Sequence, residues 1–351
     1  MREDLHARIA DLRERAARLP RVSLTELPTP LQACERLSRA IGHGLRLHLK
    51  RDDLTSLGFG GNKIRKLEFS LGAALAQGCD TVVHGLAGQS NYCRQTAAAC
   101  AKLGLPCHLV LRRDHKTAGA PQGNLLLSHL FGARIEMVAP DEQPAAKQRL
   151  VERLKAQGRT PYLIGSQDEA LGAVAYALCL AEILEQGLER GAEPGVVCVT
   201  GWNGTQAGLA LGARVLGWRG RVLGFAPSPS ADEARRREAA ARAAREAARL
   251  LGGEESFSAG DIVNTSAYAG AAYGEATAEG LEALALLART EGLVAGPVYT
   301  GKGLAGLIDY VRKGEIAPGS VVVFVHTGGT PEVFAYHQEV SQAAVAPEHA
   351  T

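Results

Sequence analysis

Short apolar, β-branched runs alternate with longer stretches of helical periodicity along most of the chain. Strands are expected at 81–84, 107–111, 134–138, 162–164, 196–200, 222–225 and 321–326. Helices are expected at 66–76, 91–103, 124–131, 145–156, 170–185, 205–216, 232–251 and 277–290. This alternation is the pattern of βαβ units, which build parallel sheets covered on both faces. Four units precede about residue 190 and at least three strands follow it, so an α/β fold with two parallel sheets is expected rather than one sheet. The Ala-rich end, 341–351, is expected to fray.

In open parallel sheets, ligands sit beyond the carboxyl ends of the strands, at helix N-termini. Four turns at such places carry unusual residues. Gly58-Phe-Gly-Gly-Asn-Lys63 follows Lys50-Arg-Asp-Asp53 and places a lysine directly after glycines that let a ligand approach the backbone. It lacks the spacing of a nucleotide P-loop, and by itself it could be a plain loop with a solvated lysine. Gly85-Leu-Ala-Gly-Gln-Ser-Asn91 opens a helix, where Ser90 suits either a helix cap or a carboxylate site. Thr200-Gly-Trp-Asn-Gly-Thr205 suits a phosphate monoester at a helix N-terminus, though a simple connecting turn has the same composition. It is not the GxGxxG of a dinucleotide site. The fourth turn, His326-Thr-Gly-Gly329, again combines a hydroxyl with glycines.

Bulk properties narrow the function classes. At 351 residues the length suits two or three domains. A net charge of +2 gives no strong pull toward nucleic acid or membrane. The charged run 233–249 has the composition of a solvated helix face. Seven cysteines, an odd count without a CxxC pair, suit buried thiols in a reducing compartment. The first residues alternate charged and apolar positions and lack the core of a signal peptide. No apolar stretch is expected to reach transmembrane length. A cytoplasmic protein without membrane or nucleic-acid partners and without a metal site is expected.

Together the four turns resemble one family. LPTPL at 27–31, KRDDLTSLGFGGNKIRKLEF at 50–69, GQSNYCRQTAAACAKLG at 88–104, TGWNGTQAGLALG at 200–212, GPVYTGKGLAGLIDYVRKGE at 296–315 and FVHTGG at 324–329 are similar to the D-cysteine desulfhydrase and 1-aminocyclopropane-1-carboxylate (ACC) deaminase family. They run in the family's order over nearly the whole chain. The resemblance implies the tryptophan-synthase β-type fold (fold type II), with pyridoxal 5'-phosphate in a cleft between two open, twisted parallel-sheet domains. It implies a large domain of 1–64 plus 188–351, a small one of 65–187, and a homodimer. Lys63 matches the Schiff-base lysine, and Asn91 the residue that hydrogen-bonds the cofactor's ring oxygen. Ser90, with Gln89, Asn91 and Tyr299 around it, matches the substrate-carboxylate site. Thr200, Gly201, Trp202, Asn203, Gly204 and Thr205 match the phosphate loop, Thr327 the residue facing the pyridine nitrogen, and Tyr273 and Tyr299 two active-site tyrosines.

Two positions bear on the reaction. ACC deaminases carry Glu and Leu where this chain has Thr300 and Thr327, a pair that resembles the desulfhydrases. A carboxylate would keep the pyridine nitrogen protonated and deepen the electron sink; a hydroxyl gives a shallower one, sufficient when an α-proton can leave. The implied reaction is α,β-elimination from an amino acid such as D-cysteine, with the freed Lys63 taking the α-proton and pyruvate and ammonia as products. ACC deamination, sulfite release from cysteate, or a non-catalytic binder of the cofactor or an amino acid are the alternatives. The chain departs from the family at Trp202 and Asn203, at Gly165-Ser-Gln-Asp168, at Tyr92, and at Gly296, where the family has Asp.

Overall fold

The computed structural model describes residues 2–345. Its strands are β1 (Leu31–Ala33), β2 (Arg46–Lys50), β3 (Thr81–His84), β4 (Cys107–Arg112), β5 (Arg134–Val138), β6 (Pro161–Leu163), β7 (Val196–Thr200), β8 (Arg221–Phe225), β9 (Val263–Thr265) and β10 (Val321–Val325). They form two sheets. The larger has the order β1-β2-β10-β7-β8-β9 and the smaller β5-β4-β3-β6. Every pairing is parallel except β1 with β2. β7 and β10 are buried at all five positions, as strands covered on both faces must be. Each buried valine there contributes roughly 1.5–3 kcal/mol relative to exposure.

All seven expected strands are present. β1, β2 and β9 escape the pattern because they are short or carry charge. Lys50 ends β2, yet it is fully buried, with its ammonium bonded to Thr29 O at 2.6 Å and Glu182 at 2.7 Å. The helices Arg2–Ala17, Glu35–Ile41 and Thr300–Arg312 add to the expected set. The expected frayed end is partly corrected: His337–Val345 is helical, and 346–351 lie outside the described residues.

The membrane expectation also needs correction. Asp168–Glu189 has 22 residues and a mean hydropathy of 1.4, long and apolar enough to cross a membrane. It is instead spent inside the molecule: 72% of its most apolar 18-residue stretch is buried. It packs on the helix Asn203–Val215 so closely that a Cβ at Gly208 would lie 2.3 Å from Ala173 O. Val174, Cys179 and Leu180 share one core with Val197 of β7 and Val323 of β10, so this helix packs with the larger sheet although all but its last two residues fall within 65–187.

A buried ionic cluster ties four segments together. The guanidinium of Arg65 donates to both Asp52 and Glu182, Thr29 donates to Asp52 at 2.9 Å, and Tyr176 donates to Asp52 at 2.6 Å. Burial alone would raise the Glu182 carboxyl, but Arg65 and Lys50 outweigh it and hold that group at about 2. The cluster anchors the first turn of the helix Lys63–Ala76 against the larger sheet.

Candidate active site

Lys63 opens a helix at the exit of a glycine turn whose geometry requires glycine. Gly60 has φ 65°, and a Cβ there would lie 1.9 Å from Asp53 O. Asn62 N–H donates to Thr327 O at 3.1 Å, which fixes the turn against the segment after β10. Lys63 itself is half-buried. Desolvation, reinforced by the charge of Lys66, lowers its amine to about 7 against the opposing pull of Glu169. A lysine of ordinary pKa would be almost wholly protonated at neutrality; this one is poised to act as nucleophile and base.

Lys63 lines a cleft of about 580 Å³ with Gln89, Thr200, Trp202, Tyr273 and Tyr299. A larger groove of about 950 Å³, walled by Glu279, Glu282, Arg289 and Arg312, contains none of the expected site residues. The fold therefore brings residues from distant turns into one cleft. Ser90, Asn91, Gly204 and Thr327 are not among the residues that line it.

The loop after β7 is built for an anion. The backbone of Gly204 donates to Glu169 Oε2 at 2.7 Å, and Lys66 Nζ lies 3.3 Å from the same oxygen. Glu169 thus stands in for an anion at the N-terminus of the helix Asn203–Val215. Burial alone would raise its carboxyl, but Lys66 and the Gly204 N–H outweigh it and lower the pKa. The Thr200 hydroxyl is buried without a hydrogen-bond partner, a donor left to be satisfied by a ligand. A Cβ at Gly201 would meet nothing within 4 Å, so space exists beside the loop. These features fit a phosphate monoester, held by Thr200, Gly204, Thr205 and Lys66. Trp202 lines the cleft with its ring under the Arg236 guanidinium, 4.4 Å from its centroid.

The turn after β3 orders the next group. Ser90 caps the helix Asn91–Leu103, its Oγ accepting from Cys93 N at 3.2 Å. Gln89 accepts from Asn124 N at 2.9 Å and donates to Gln122 O at 3.1 Å, so its side chain braces the neighbouring loop. Asn91 Oδ1 accepts from Asn124 at 3.0 Å, while its Nδ2 donates to Glu332 by a short hydrogen bond. The Gly165–Asp168 turn closes on itself through Asp168, which accepts from Gly165 N at 2.8 Å.

Across the cleft the hydroxyls of Tyr273 and Tyr299 are 2.6 Å apart. Burial raises both far enough to keep them protonated at neutrality, so one donates to the other and one O–H remains free. Thr300 and Thr327 are buried with their hydroxyls 3.3 Å apart, and Thr300 also donates to Gly328 O at 2.8 Å. Three residues of this site were not singled out in the sequence: Lys66, Glu169 and Glu332. Lys66 lies within the GGNKIRKLE segment and could have been found from it; the two glutamates carry no local signal.

Two open parallel-sheet units with a low-pKa lysine in a cleft beside an anion-binding loop suit an enzyme whose cofactor carries a carbonyl and a phosphate. The comparisons agree. Residues 22–328 match the pyridoxal-phosphate dependent enzyme family, and the chain belongs to it; its cofactor is pyridoxal phosphate. It is 40% identical to D-cysteine desulfhydrase of Yersinia pestis (strain Pestoides F) over 336 residues, 94% of this chain and 99% of that one. It is equally 40% identical to D-cysteine desulfhydrase of Salmonella typhi over 329 residues, 92% of this chain and 98% of that one. Among solved structures, an ACC deaminase homologue superposes with a TM-score of 0.84 at 34% identity, covering 95% of this chain and 99% of that one. Escherichia coli diaminopropionate ammonia lyase shares the fold, with a TM-score of 0.63 at 16% identity over 97% of this chain and 93% of its own.

Proposed function

We propose that this enzyme is a lyase that eliminates the β-substituent of an amino acid, with D-cysteine as substrate and pyruvate, ammonia and hydrogen sulfide as products. The observation that carries this is the lysine amine lowered to about 7 in a cleft that it shares with the paired hydroxyls of Tyr273 and Tyr299, together with the buried Thr300–Thr327 hydroxyl pair where ACC deaminases carry Glu and Leu. The 40% identity to D-cysteine desulfhydrases over nearly the full chain supports the substrate.

When bound, pyridoxal phosphate supplies a carbonyl that condenses with amines and a ring that accepts the electron pair released at the substrate α-carbon. Lys63, freed as a neutral amine, takes the α-proton. Thr200, Gly204, Thr205 and Lys66 would hold the phosphate, and Asn91 would hydrogen-bond the ring oxygen. Ser90 and the N–H groups at the start of its helix receive the substrate carboxylate, with Gln89 fixing that loop. The free O–H of the Tyr273–Tyr299 pair donates a proton toward the leaving group. Thr327 gives the pyridine nitrogen a neutral partner, which suffices when an α-proton is available. Seven free cysteines support a reducing, cytoplasmic setting.

A second substrate is favoured by one observation. Arg112 lines the same cleft, half-buried, and its charge acts on both tyrosine hydroxyls. A cation there suits an anionic β-substituent, as in cysteate with sulfite as leaving group. The test is a side-by-side assay of pyruvate from D-cysteine, L-cysteine, cysteate, β-chloroalanine and serine, and of α-ketobutyrate from ACC. The highest kcat/KM is expected for D-cysteine. A lead for ACC over every β-substituted alanine would overturn the proposal. A lead for cysteate that disappears in Arg112→Gln would establish the second substrate. Bound cofactor without any turnover would make the chain a binding protein.

A further inference from the structure

Glu332 is a fully buried carboxylate in the short helix Glu332–Ala335, just after the Thr327–Gly329 turn. None of the roles assigned above uses it. Its Oε1 accepts the short hydrogen bond from Asn91, and its Oε2 accepts from Val298 N at 3.4 Å. Its own N–H donates to Gly329 O at 2.9 Å. Burying a carboxylate is expensive unless something requires it there. Burial pushes its pKa up to about 8, with Asn91, the Val298 N–H, Arg94 and Lys302 opposing.

The space Glu332 occupies is the space a side chain at position 296 would need. A Cβ built on Gly296 would lie 2.6 Å from Glu332 Oε2 and 2.8 Å from Gly329 O. Position 296 is where the family pattern expects Asp and this chain has Gly. The two positions belong to different segments, 36 residues apart (332 − 296), yet they compete for one place.

The neighbours of Asn91 show what a carboxylate does there. Asn91 Oδ1 accepts from Asn124 at 3.0 Å and faces Arg94 Nη2 at 3.4 Å. Donors therefore surround the oxygen end of the amide, and Glu332 Oε1 accepts one hydrogen of the nitrogen end. A flip would turn the amide N–H groups toward the Asn124 and Arg94 donors. Its second N–H stays available.

We propose that Glu332 is the positioning residue that aims the Asn91 amide at the cofactor, and that Gly296 is the vacated position that makes room for it. The proposal rests on the assignment of Asn91 as a cofactor contact.

The experiment is a set of full-length variants: Glu332→Ala, Gly296→Asp, the double Gly296→Asp/Glu332→Ala, and Asn91→Ala as reference. Each is prepared without cofactor and titrated with pyridoxal phosphate, reading the dissociation constant, the absorbance maximum of the bound cofactor, and the melting temperature before addition. Glu332→Ala is expected to weaken cofactor binding about tenfold and to shift the absorbance maximum in the same direction as Asn91→Ala. Gly296→Asp alone is expected to be at least as harmful, because it crowds two carboxylates together. The double variant is expected to recover binding to within about threefold of the parent and to restore the absorbance maximum. Additive losses in the double variant, or an unchanged maximum and affinity in Glu332→Ala, overturn the proposal. If Glu332→Ala does not fold, the double variant must fold and show the parent maximum; failure of both overturns it as well. An Asn91→Ala variant with parent affinity and maximum would show instead that the Asn91 assignment is wrong.

Discussion

The backbone N–H of Gly204 donates to the carboxylate of Glu169 at 2.7 Å. An acidic side chain thus occupies the anion position of a loop that has to receive a dianionic phosphate. Glu169 is about a quarter exposed, so its side chain can swing out when the cofactor enters. Its charge then stays nearby and opposes the phosphate. Removing that charge while keeping the shape, as in Glu169→Gln, is expected to tighten pyridoxal phosphate binding about three- to tenfold, equivalent to roughly 0.7–1.4 kcal/mol. Titration of cofactor-free protein by absorbance measures it. Weaker binding would show that Glu169 helps rather than competes.

Lys63→Ala is expected to abolish turnover while leaving the fold intact. The side chain is half-buried and makes no structural ion pair comparable to that of Arg65. Truncation should therefore change the melting temperature by no more than a surface substitution does, within about 0.5 kcal/mol. Near-parental rates would remove Lys63 from its role.

The lowered amine of Lys63 sets a pH dependence. Only the neutral amine attacks a carbonyl, so capture of pyridoxal phosphate by the cofactor-free enzyme should accelerate as pH rises through about 7 and level off above it. An ordinary lysine would keep accelerating toward its usual value near 10.5. Desolvation is the main cause and the charge of Lys66 the next, so Lys66→Met should move the inflection upward. Stopped-flow absorbance across pH 5 to 10 measures both, with about one pH unit resolvable.

The buried cluster under the site should be costly to break. Glu182→Ala removes a carboxylate that accepts from Arg65 at 2.8 Å and pairs with Lys50 at 2.7 Å. It leaves buried positive charge, expected to cost about 3–5 kcal/mol in denaturant unfolding. The Glu182 carboxyl is depressed from 4.5 to about 2 in the folded protein. Its contribution is therefore complete above about 4.5 and is lost as pH falls toward 2. In Glu182→Ala that part of the acid destabilisation should vanish.

The sheets were legible in sequence wherever strands were long and apolar. β7 and β10 read as continuous valine-rich runs because both faces are buried. β2 was hidden by Lys50, a charge at a strand end that tertiary pairing with Glu182 makes tolerable. The helix Asp168–Glu189 reads the same whether it crosses a membrane or fills a core; only packing against Asn203–Val215 distinguishes the two.

By resemblance, the sequence pointed to Lys63 as the cofactor lysine, to residues 200–205 as the phosphate loop and to the Thr327 turn, because each is a local motif of glycines with a hydroxyl or a charge. It also placed Tyr273 and Tyr299 by resemblance. Only the tertiary structure decided that Ser90 spends its hydroxyl on a helix cap, that Glu169 reaches the phosphate loop from 35 residues away (204 − 169), and that Glu332 fills the space left at Gly296. The physical reason is the range of each interaction. Backbone conformation and helix capping are set by near neighbours in the chain. The pairing of a buried carboxylate depends on which distant segments the sheets bring together, and no local periodicity records it.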